Sequence, residues 1–221
     1  MKRYSFLLAI FAPLFILGLY AVPAHAQIPG LFNTGVDDNN ALLSDGDTDP
    51  HYTLISSSDP SYPGPAAKVV NTGGYPFPEW IADGPDSKWI APRADETILH
   101  PTGNYVYRTT FDLTGLDPGS AVITGQWTSD NIGVDILING TSTGFSTPND
   151  AFSQGFFPFT ISTGFIQGVN TLDFVVYNGT PAGANPTGLR VELSGTANTV
   201  TVPIPGLFNT GVDDNNALLS D

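Results

Sequence analysis

Residues 105–113 read YVYRTTFDL, and this stretch decides the fold. Bulky or β-branched residues occupy every second position, from Tyr105 through Tyr107 to Phe111, with polar or smaller residues between them. A period of two is that of a β-strand with one buried face, whereas an amphipathic helix would show a period of 3.6 residues. The stretch therefore predicts a strand that turns its aromatic side towards a core.

The same alternation continues along the chain on both sides of this strand. Residues 134–138, VDILI, run into Asn139-Gly140, the pair most typical of a two-residue β-hairpin because both residues tolerate a positive φ. Further strands are predicted at 121–128, 156–161, 171–177 and 189–193. Short strands separated by turn signals are typical of an antiparallel sandwich. The predicted fold class is all-β, an antiparallel jelly-roll β-sandwich.

The first half of the chain is different in character. Residues 27–104 are rich in proline, and the pattern predicts only two short strands there, at 52–55 and 67–70. Ordered loops of this length are often functional or wrap a face of the domain. We therefore expect a long loop-rich N-terminal layer over the sandwich.

Composition and charge exclude several classes of function. The 221 residues include 7 Lys+Arg against 21 Asp+Glu, a formal charge of −14. Nucleic-acid binding requires a basic footprint, so no nucleic-acid partner is expected. The absence of cysteine excludes disulfides, thiolate catalysis and cysteine-ligated metal sites.

Residues 1–26 have the layout of a secretory signal peptide. A basic start precedes an apolar run from Phe6 to Val22, and the small residues Ala24 and Ala26 precede a cut before Gln27. The alternative is a retained membrane anchor, but this run is marginal for a bilayer span, which needs ~20 residues. The sequence predicts a chain that is secreted to the surface or surroundings of a bacterial cell, with no membrane contact after cleavage.

An internal repeat divides the chain. Residues 28–45, IPGLFNTGVDDNNALLSD, recur letter for letter at 204–221. The predicted organisation is a signal peptide at 1–26, one unit at 27–203, and a copy of the start of that unit at 204–221. The copy is the beginning of a further tandem unit, a recombination artefact, or an assembly tail that pairs with an identical subunit by strand exchange. The tail residues that would carry such assembly are Ile204, Leu207, Phe208, Val212, Leu218 and Leu219.

Four stretches together carry a resemblance to a known family: YVYRTTFDL at 105–113, DILING at 135–140, GVNTLDFVV at 168–176 and PTGLRV at 186–191. In this order they resemble the galactose-binding-domain-like jelly roll, a non-catalytic module of glycoside hydrolases. The unit is also similar to exported bacterial domains that precede a PEP-CTERM sorting tail. Here the chain enters the repeat where that tail would begin, so this route of anchoring is not expected. The resemblance implies binding of carbohydrate or surface polymer through loops at one end of the sandwich, often with a structural calcium.

An acidic stretch is the candidate metal site. Asp45, Asp47 and Asp49 are spaced at i, i+2 and i+4, and hard oxygen ligands at this spacing suit Ca²⁺. The stretch is not an EF-hand, because Pro50 stands where that loop needs glycine. The alternative is a solvated acidic turn, in which Asp and Gly are favoured for their backbone preferences.

Candidate ligand-binding residues lie in two regions. Aromatic and basic residues meet in the loop-rich layer, and sugar rings stack on exposed aromatic rings. A loop between two predicted strands adds a carboxylate and an amide. The candidates are Trp80, Lys88, Trp89, Arg93, Asp130 and Asn131. The alternatives are that the two tryptophans pack the loop, and that Asp130 and Asn131 form a turn that fixes the loop's shape.

No catalytic constellation is recognisable in the sequence. His51 and His100 have no metal-ligand spacing, and no Gly-x-Ser-x-Gly elbow is present. Glu192, next but one to Arg190 on a predicted strand, is interpreted as half of a surface ion pair. We predict a secreted, non-catalytic module that binds carbohydrate or surface polymer and occurs in tandem. The alternative is a structural subunit of a filament that is assembled through the repeated segment.

Overall fold

A computed structural model describes residues 24–179 and 185–200. These residues form strands and two short 3-10 turns, Pro118–Ser120 and Ala151–Ser153. The strands are β1 (His25–Gln27), β2 (Thr48–Ser56), β3 (Ala66–Val69), β4 (Ile90–Ala91), β5 (Gly103–Asp112), β6 (Val122–Asp130), β7 (Ile132–Ile138), β8 (Thr141–Ser142), β9 (Phe157–Ile161), β10 (Val169–Asn178) and β11 (Gly188–Asn198). The predicted all-β class is confirmed.

The strands form one antiparallel sheet that curls back over a shared core. Neighbouring strands follow the order β8-β7-β10-β5-β2-β3-β4-β11-β6-β9, and β1 pairs with β11. Phe174 of β10 lies 5.7 Å from Trp127 of β6 and 6.2 Å from Phe159 of β9, measured between ring centroids. These strands are far apart in the sheet order, so the sheet must face itself across the core. This arrangement is consistent with a β-sandwich.

The predicted alternation holds on the central strands. On β5 the side chains of Tyr105, Tyr107 and Phe111 are buried, whereas Thr110 and Asp112 are exposed. Trp127 on β6 is fully buried, as its strand face predicted. The core therefore consists of the inward faces of strands whose period is two.

The Asn139-Gly140 turn is also confirmed. These residues connect β7 to β8 and pair Ile138 with Thr141 across the hairpin. Their φ angles are 50° and 79°, the positive values that a type I′ turn requires. Cis peptide bonds precede Pro65, Pro76 and Pro78, and a further one joins Asp130 to Asn131.

The loop-rich N-terminal layer is confirmed, and its first segment runs along one edge of β11. The first copy of the repeated segment follows this strand: the Ile28 N–H donates to the Gly195 carbonyl at 2.9 Å, and the Thr34 N–H donates to the Val191 carbonyl at 3.0 Å. The Thr34 hydroxyl accepts a hydrogen bond from the Val191 N–H at 3.0 Å. Segment 28–45 is therefore an integral part of the fold.

The prediction of a surface ion pair on β11 is wrong in one respect. Arg190 does lie 3.6 Å from Glu192, but its side chain is buried. Residues of the N-terminal layer cover it, and its guanidinium donates to the Ala82 carbonyl at 2.6 Å and to the Ser87 hydroxyl at 2.8 Å. The outward side of β11 at Arg190 is therefore covered by the N-terminal layer and is not exposed to solvent.

The predictions of a signal peptide and of an assembly tail concern the two ends of the chain, and the structure does not test them. Most of the predicted signal peptide and all of segment 204–221 lie outside the described residues. His25 and Ala26 pair with Asn198 and Ala197 in β1, so a cut before Gln27 would leave only the Gln27–Thr196 pair of that strand. Within 24–179 and 185–200, no helix has the length and apolar character needed to cross a membrane.

Candidate ligand-binding site

The two tryptophans of the N-terminal layer are buried, so the expectation of an open stacking platform is wrong for them. Trp80 is 2% exposed and Trp89 is 0% exposed, and their ring centroids are 4.3 Å apart. With Val70 and Ala91 they form a small core of their own beneath the loops. A loop layer without long strands needs such a core, and two large rings supply it.

Trp80 can lie against the sheet because β11 begins with a glycine. A Cβ atom on Gly188 would approach the Trp80 ring to 2.5 Å, which real structures do not allow. The Trp80 indole N–H donates to Asp130 Oδ2 at 2.8 Å. One edge of the ring is thereby fixed to the last residue of β6.

The two basic candidates are already engaged elsewhere. Lys88 Nζ donates to Asp45 Oδ1 at 2.9 Å. Arg93 is buried, donates to the Ile98 carbonyl, and stacks its guanidinium over the Tyr62 ring at 4.7 Å from the centroid. Lys88, Trp89 and Arg93 therefore do not join the site that the other candidates form.

Asp130 and Asn131 lie where β6 turns into β7, at the end of the sheet where β10 ends and β11 begins. Asn131 Oδ1 accepts hydrogen bonds from the Gly179 N–H at 2.8 Å and from Asn185 Nδ2 at 2.9 Å. The amide thus links the β6–β7 turn to the segment that follows β10, a long-range contact rather than the local turn that the sequence suggested. Asp130 differs, because only its Oδ2 accepts a hydrogen bond, the one from the Trp80 indole N–H.

A cavity of about 230 Å³ opens beside these two residues, and we call it the acidic cavity. It contains three of the six predicted ligand-binding residues. The lining residues are Tyr75, Pro76, Glu79, Trp80, Asp130, Asn131, Asp150, Phe152, Asn185 and Pro186. Tyr75, Glu79 and Asp150 were not among the residues that the sequence predicted to bind a ligand. The loops that hold them are far apart in the chain.

Asp130 is the distinctive group of this cavity. It is 3% exposed, and among the described residues its Oδ1 has no hydrogen-bond partner. Burial raises its pKa to about 8, the hydrogen bond from Trp80 opposes that rise, and the charges of Glu96 and Asp150 add to it. The carboxyl is therefore mostly protonated at neutral pH, and its Oδ1 is a buried oxygen without a hydrogen bond in a residue that lines the cavity.

The surroundings of Tyr75 indicate negative potential in the same place. Tyr75 is 47% exposed and is the open aromatic surface of the cavity. Burial raises its pKa, and the carboxylates of Asp130, Glu79 and Glu96 raise it further. No Lys, Arg or His is among the described residues that line the cavity.

A second cavity of about 340 Å³ shares Trp80 with the first. Its wall is mostly apolar, with Phe77, Pro78 and Ile81, and Asp83 lies at its edge. Burial raises the pKa of Asp83, and the hydrogen bond from the Trp89 N–H opposes that rise. The buried tryptophan is thus the partition between an acidic and an apolar cavity.

A third cavity, of about 450 Å³, is a shallow groove over β6 and β11. It has no aromatic residue among the described residues that line it. Two acidic residues line it: Glu192 already accepts hydrogen bonds from Ser87 and Gln126 at 2.8 and 2.7 Å, whereas Asp86 is exposed. This groove therefore offers a ligand an exposed carboxylate but no aromatic stacking surface.

The structure does not bring the predicted calcium ligands together. Asp45 bonds to Lys88 and Thr72; burial would raise its pKa, but these hydrogen bonds outweigh burial and lower it to about 2. Asp47 caps the Ser44 N–H at 2.9 Å. Within the described residues, no three acidic or histidine side chains are grouped to hold a metal. The expected site at Asp45, Asp47 and Asp49 is therefore not formed in this arrangement.

Asp49 has a structural role instead. Its carboxylate is buried and accepts three backbone N–H groups, from Gly35 at 2.7 Å, His51 at 2.8 Å and Tyr52 at 3.0 Å. Burial raises its pKa, and these hydrogen bonds oppose the rise. The residue ties segment 28–45 to the start of β2.

Sequence reasoning missed a buried network around His100. Its Nε2 lies 2.8 Å from Glu96 Oε1, and its Nδ1 lies 3.2 Å from Asp59 Oδ2. Glu96 also accepts the Thr187 N–H at 3.0 Å, and burial raises its pKa against the opposing effect of His100. The i, i+4 spacing of Glu96 and His100 was a visible signal, but Asp59 is too distant in sequence to be paired with them. The network fixes the loop that precedes β5.

Comparison of this chain with protein-family models, with curated proteins and with solved structures found no match. The galactose-binding-like resemblance therefore stays a prediction, and the structure supports its coarser part, an all-β antiparallel sheet compatible with a β-sandwich.

Proposed function

We propose that this chain is an exported, non-catalytic module that binds carbohydrate or surface polymer in the acidic cavity, in the manner of a galactose-binding-like domain. The observation that carries the proposal is the combination, in one cavity, of an exposed tyrosine and a buried carboxyl with an unused oxygen. Sugars require both, because their C–H faces pack on aromatic rings while their hydroxyls bond to a few fixed polar groups.

The position of the cavity supports this reading. Asp130 ends β6, and Asn131 and Asn185 lie on loops between consecutive strands at the same end of the sheet. A cavity of about 230 Å³ is smaller than the ~300–1,000 Å³ of sites for drug-sized ligands, so it suits a single sugar residue of a longer polymer. Binding sites at such loop ends are positioned by a rigid scaffold.

A glycan array followed by calorimetric titration tests the proposal. Tyr75→Ala removes the stacking surface without disturbing the buried core, and we expect it to weaken binding by about tenfold or more. Val134→Ala is the matched control, because Val134 is also an exposed apolar residue but does not line the cavity. Absence of any bound glycan, or equal binding by Tyr75→Ala and wild type, would show that the proposal is wrong.

A second candidate function, assembly into a filament, has an observation of its own. Segment 28–45 lies along β11 and donates backbone hydrogen bonds to it from Ile28 and Thr34. Since 204–221 has the same sequence, it is chemically able to occupy the same edge of β11 in a second copy once that copy's own segment is displaced. This is strand exchange between identical subunits.

The tail offers a matched pair of variants. Thr210 is the counterpart of Thr34, and Thr210→Pro removes the N–H that exchange would need while leaving the folded unit intact. If exchange occurs, light scattering at high concentration should show oligomers for the full chain and monomers for Thr210→Pro and for a chain ending at Pro203. Monomers in all three samples would exclude assembly through this segment.

A further inference from the structure

We propose that the end of the domain at which β11 finishes is an interface for a second copy of the same unit. Three exposed apolar residues define this surface, which we call the terminal face: Ile166, Val169 and Val200. The inference rests on the interpretation of the repeat as the start of a further tandem unit. It is independent of carbohydrate binding, so the two can fail separately.

The chain enters and leaves the unit at this same end. Near the entry, the Ile28 N–H donates to the Gly195 carbonyl at 2.9 Å, close to the last residue of β11. Near the exit, the Val200 N–H donates to the Gly115 carbonyl at 2.9 Å. Because both bonds lie at the end of β11, a unit that precedes or follows this one is joined to it at the terminal face.

The repeat leaves almost no linker between two units. Ile204 is the counterpart of Ile28, which is 5% exposed and belongs to the core of its own unit. Only residues 201–203 separate Val200 from Ile204, and four residue steps span at most about 14 Å even when fully extended. Since each unit has its entry beside its exit, the terminal face of one unit meets the terminal face of the next.

The terminal face has the apolar surface that such a contact needs. Val169 is the most exposed of the large apolar side chains in the part of the chain that the structure describes, at 64%. Ile166 and Val200 are 53% and 46% exposed. Several exposed apolar side chains at one end of a domain indicate a surface that another domain covers.

These three side chains surround one short segment, residues 112–116. Val169 pairs with the last residue of β5, where the segment begins. The Leu113 N–H donates at 2.9 Å to a carbonyl of the loop that carries Ile166. Val200 is bonded to the same segment from its other side. The terminal face is therefore a single surface built around this segment.

The charges of this end oppose the contact only weakly. Asp112 and Asp117 are exposed there, and each accepts a backbone N–H of its own turn, from Thr114 at 2.8 Å and from Gly119 at 2.9 Å. Repulsion between the carboxylates of two copies is screened at physiological salt, where the Debye length is ~8 Å. An apolar contact with acidic neighbours is expected to strengthen as salt is added, whereas an interface held by ion pairs would weaken.

Contact through the terminal face leaves the acidic cavity open. The cavity lies at the opposite end of the sheet, where β6 finishes and β11 begins. Two units joined by their terminal faces therefore present two acidic cavities that point away from each other. Such a pair could hold two polymer chains, or two sites on one chain, at once.

Single-cysteine variants test the interface, because the natural chain has no cysteine and one introduced thiol gives the only signal. The test variant is Val169→Cys, and the matched control is Val134→Cys, on β7 away from the terminal face and 45% exposed. Each protein, beginning at Gln27, is treated with half an equivalent of a flexible bismaleimide. This reagent does not require the Cα separation of about 4.4–6.8 Å that a disulfide needs.

We expect covalent dimers of Val169→Cys to form about tenfold faster than those of Val134→Cys at a protein concentration of about 0.1 mM, since facing thiols have an effective concentration in the millimolar range. Adding Ile166→Lys to Val169→Cys should reduce the rate to that of the control, because a charge would be buried in the contact. Far-ultraviolet circular dichroism checks that these substitutions at exposed positions preserve the fold.

Two results would overturn the interface. Equal rates for Val169→Cys and Val134→Cys would show that the terminal faces do not meet. Val169→Cys should also cross-link equally fast in a chain that ends at Pro203. Loss of the cross-link in that shorter chain would assign the contact to segment 204–221 and to strand exchange, not to end-to-end packing of the units.

Discussion

Replacement of Asp130 by asparagine should remove most of the pH dependence of stability that this carboxyl imposes. The amide has the same shape as a protonated carboxyl, with one acceptor oxygen and one donor group. Asparagine therefore preserves the acceptor for the Trp80 indole N–H, now 2.8 Å from Asp130 Oδ2. What it removes is the ability to ionise in a buried position.

The magnitude follows from the shift in pKa. Burial raises the pKa of Asp130 from 3.8 to about 8, so between these values the folded protein holds a proton that the unfolded chain has lost. The stabilisation is complete below pH 3.8 and is lost progressively as the pH rises to about 8, with a slope of about 1.4 kcal/mol per pH unit. From about pH 5 to about pH 7 the wild-type protein should lose roughly 3 kcal/mol that Asp130→Asn retains.

Urea denaturation followed by tryptophan fluorescence measures this difference. Wild type and Asp130→Asn would be unfolded at several values from about pH 5 to about pH 8, and the difference in unfolding free energy plotted against pH. Other titrating groups are common to both proteins, so most of their contribution cancels. Glu96, Asp150 and Tyr75 are the titratable neighbours coupled to Asp130, and Glu79 lines the same cavity. In thermal unfolding the same change corresponds to roughly 6–12 °C.

Asp112→Asn is the control for this experiment. Asp112 is exposed, and the hydrogen bonds from Thr114 lower its pKa, so its ionisation affects stability only at acidic pH. Its profile should run parallel to wild type between about pH 5 and about pH 8. A difference between wild type and Asp130→Asn that stays constant over this interval would refute the assignment of a protonated, buried Asp130.

Three further substitutions test the packing and the polar network. Gly133→Ala should destabilise the fold by about 1–3 kcal/mol, because its Cβ would lie 2.4 Å from the Trp127 ring; an unchanged urea midpoint would contradict this. Asp49→Ala should lower the unfolding free energy by about 3 kcal/mol or more and speed proteolysis within 28–45, since three backbone N–H groups lose their acceptor; equal cleavage rates would count against the anchoring role. Glu96→Ala should cost about 3–5 kcal/mol in chemical denaturation by leaving His100 buried without one of its partners, and a neutral result would refute the network.

The elements that the sequence predicted correctly are those set by local rules. The alternation along 105–113 and the Asn139-Gly140 turn depend on residues next to each other, so period and turn chemistry were sufficient. The order of strands in the sheet depends on which distant segments pair, and no local pattern encodes it. The same limit explains why Arg190 was assigned to the surface: the loop that covers it comes from residues 82–87.

The candidate site was predicted in part for the same reason. Asp130 and Asn131 were identified because a turn between two strands is a local feature. Trp80 was chosen as an exposed ring, but its burial depends on Gly188, whose missing side chain leaves room for it. Glu79 and Asp150 reach the cavity from separate loops, and only the folded chain brings them beside Asp130.

The position of Asp130 links stability to the proposed function. A buried carboxyl with a pKa of about 8 weakens the fold at neutral pH, and asparagine at this position would avoid that loss. Destabilising groups are found where activity needs them, and this one faces the acidic cavity. Asp130→Asn should therefore be more stable than wild type at neutral pH and bind the glycan found on the array less tightly. A variant that is stabilised and still binds with full affinity would show that the buried carboxyl has no part in recognition.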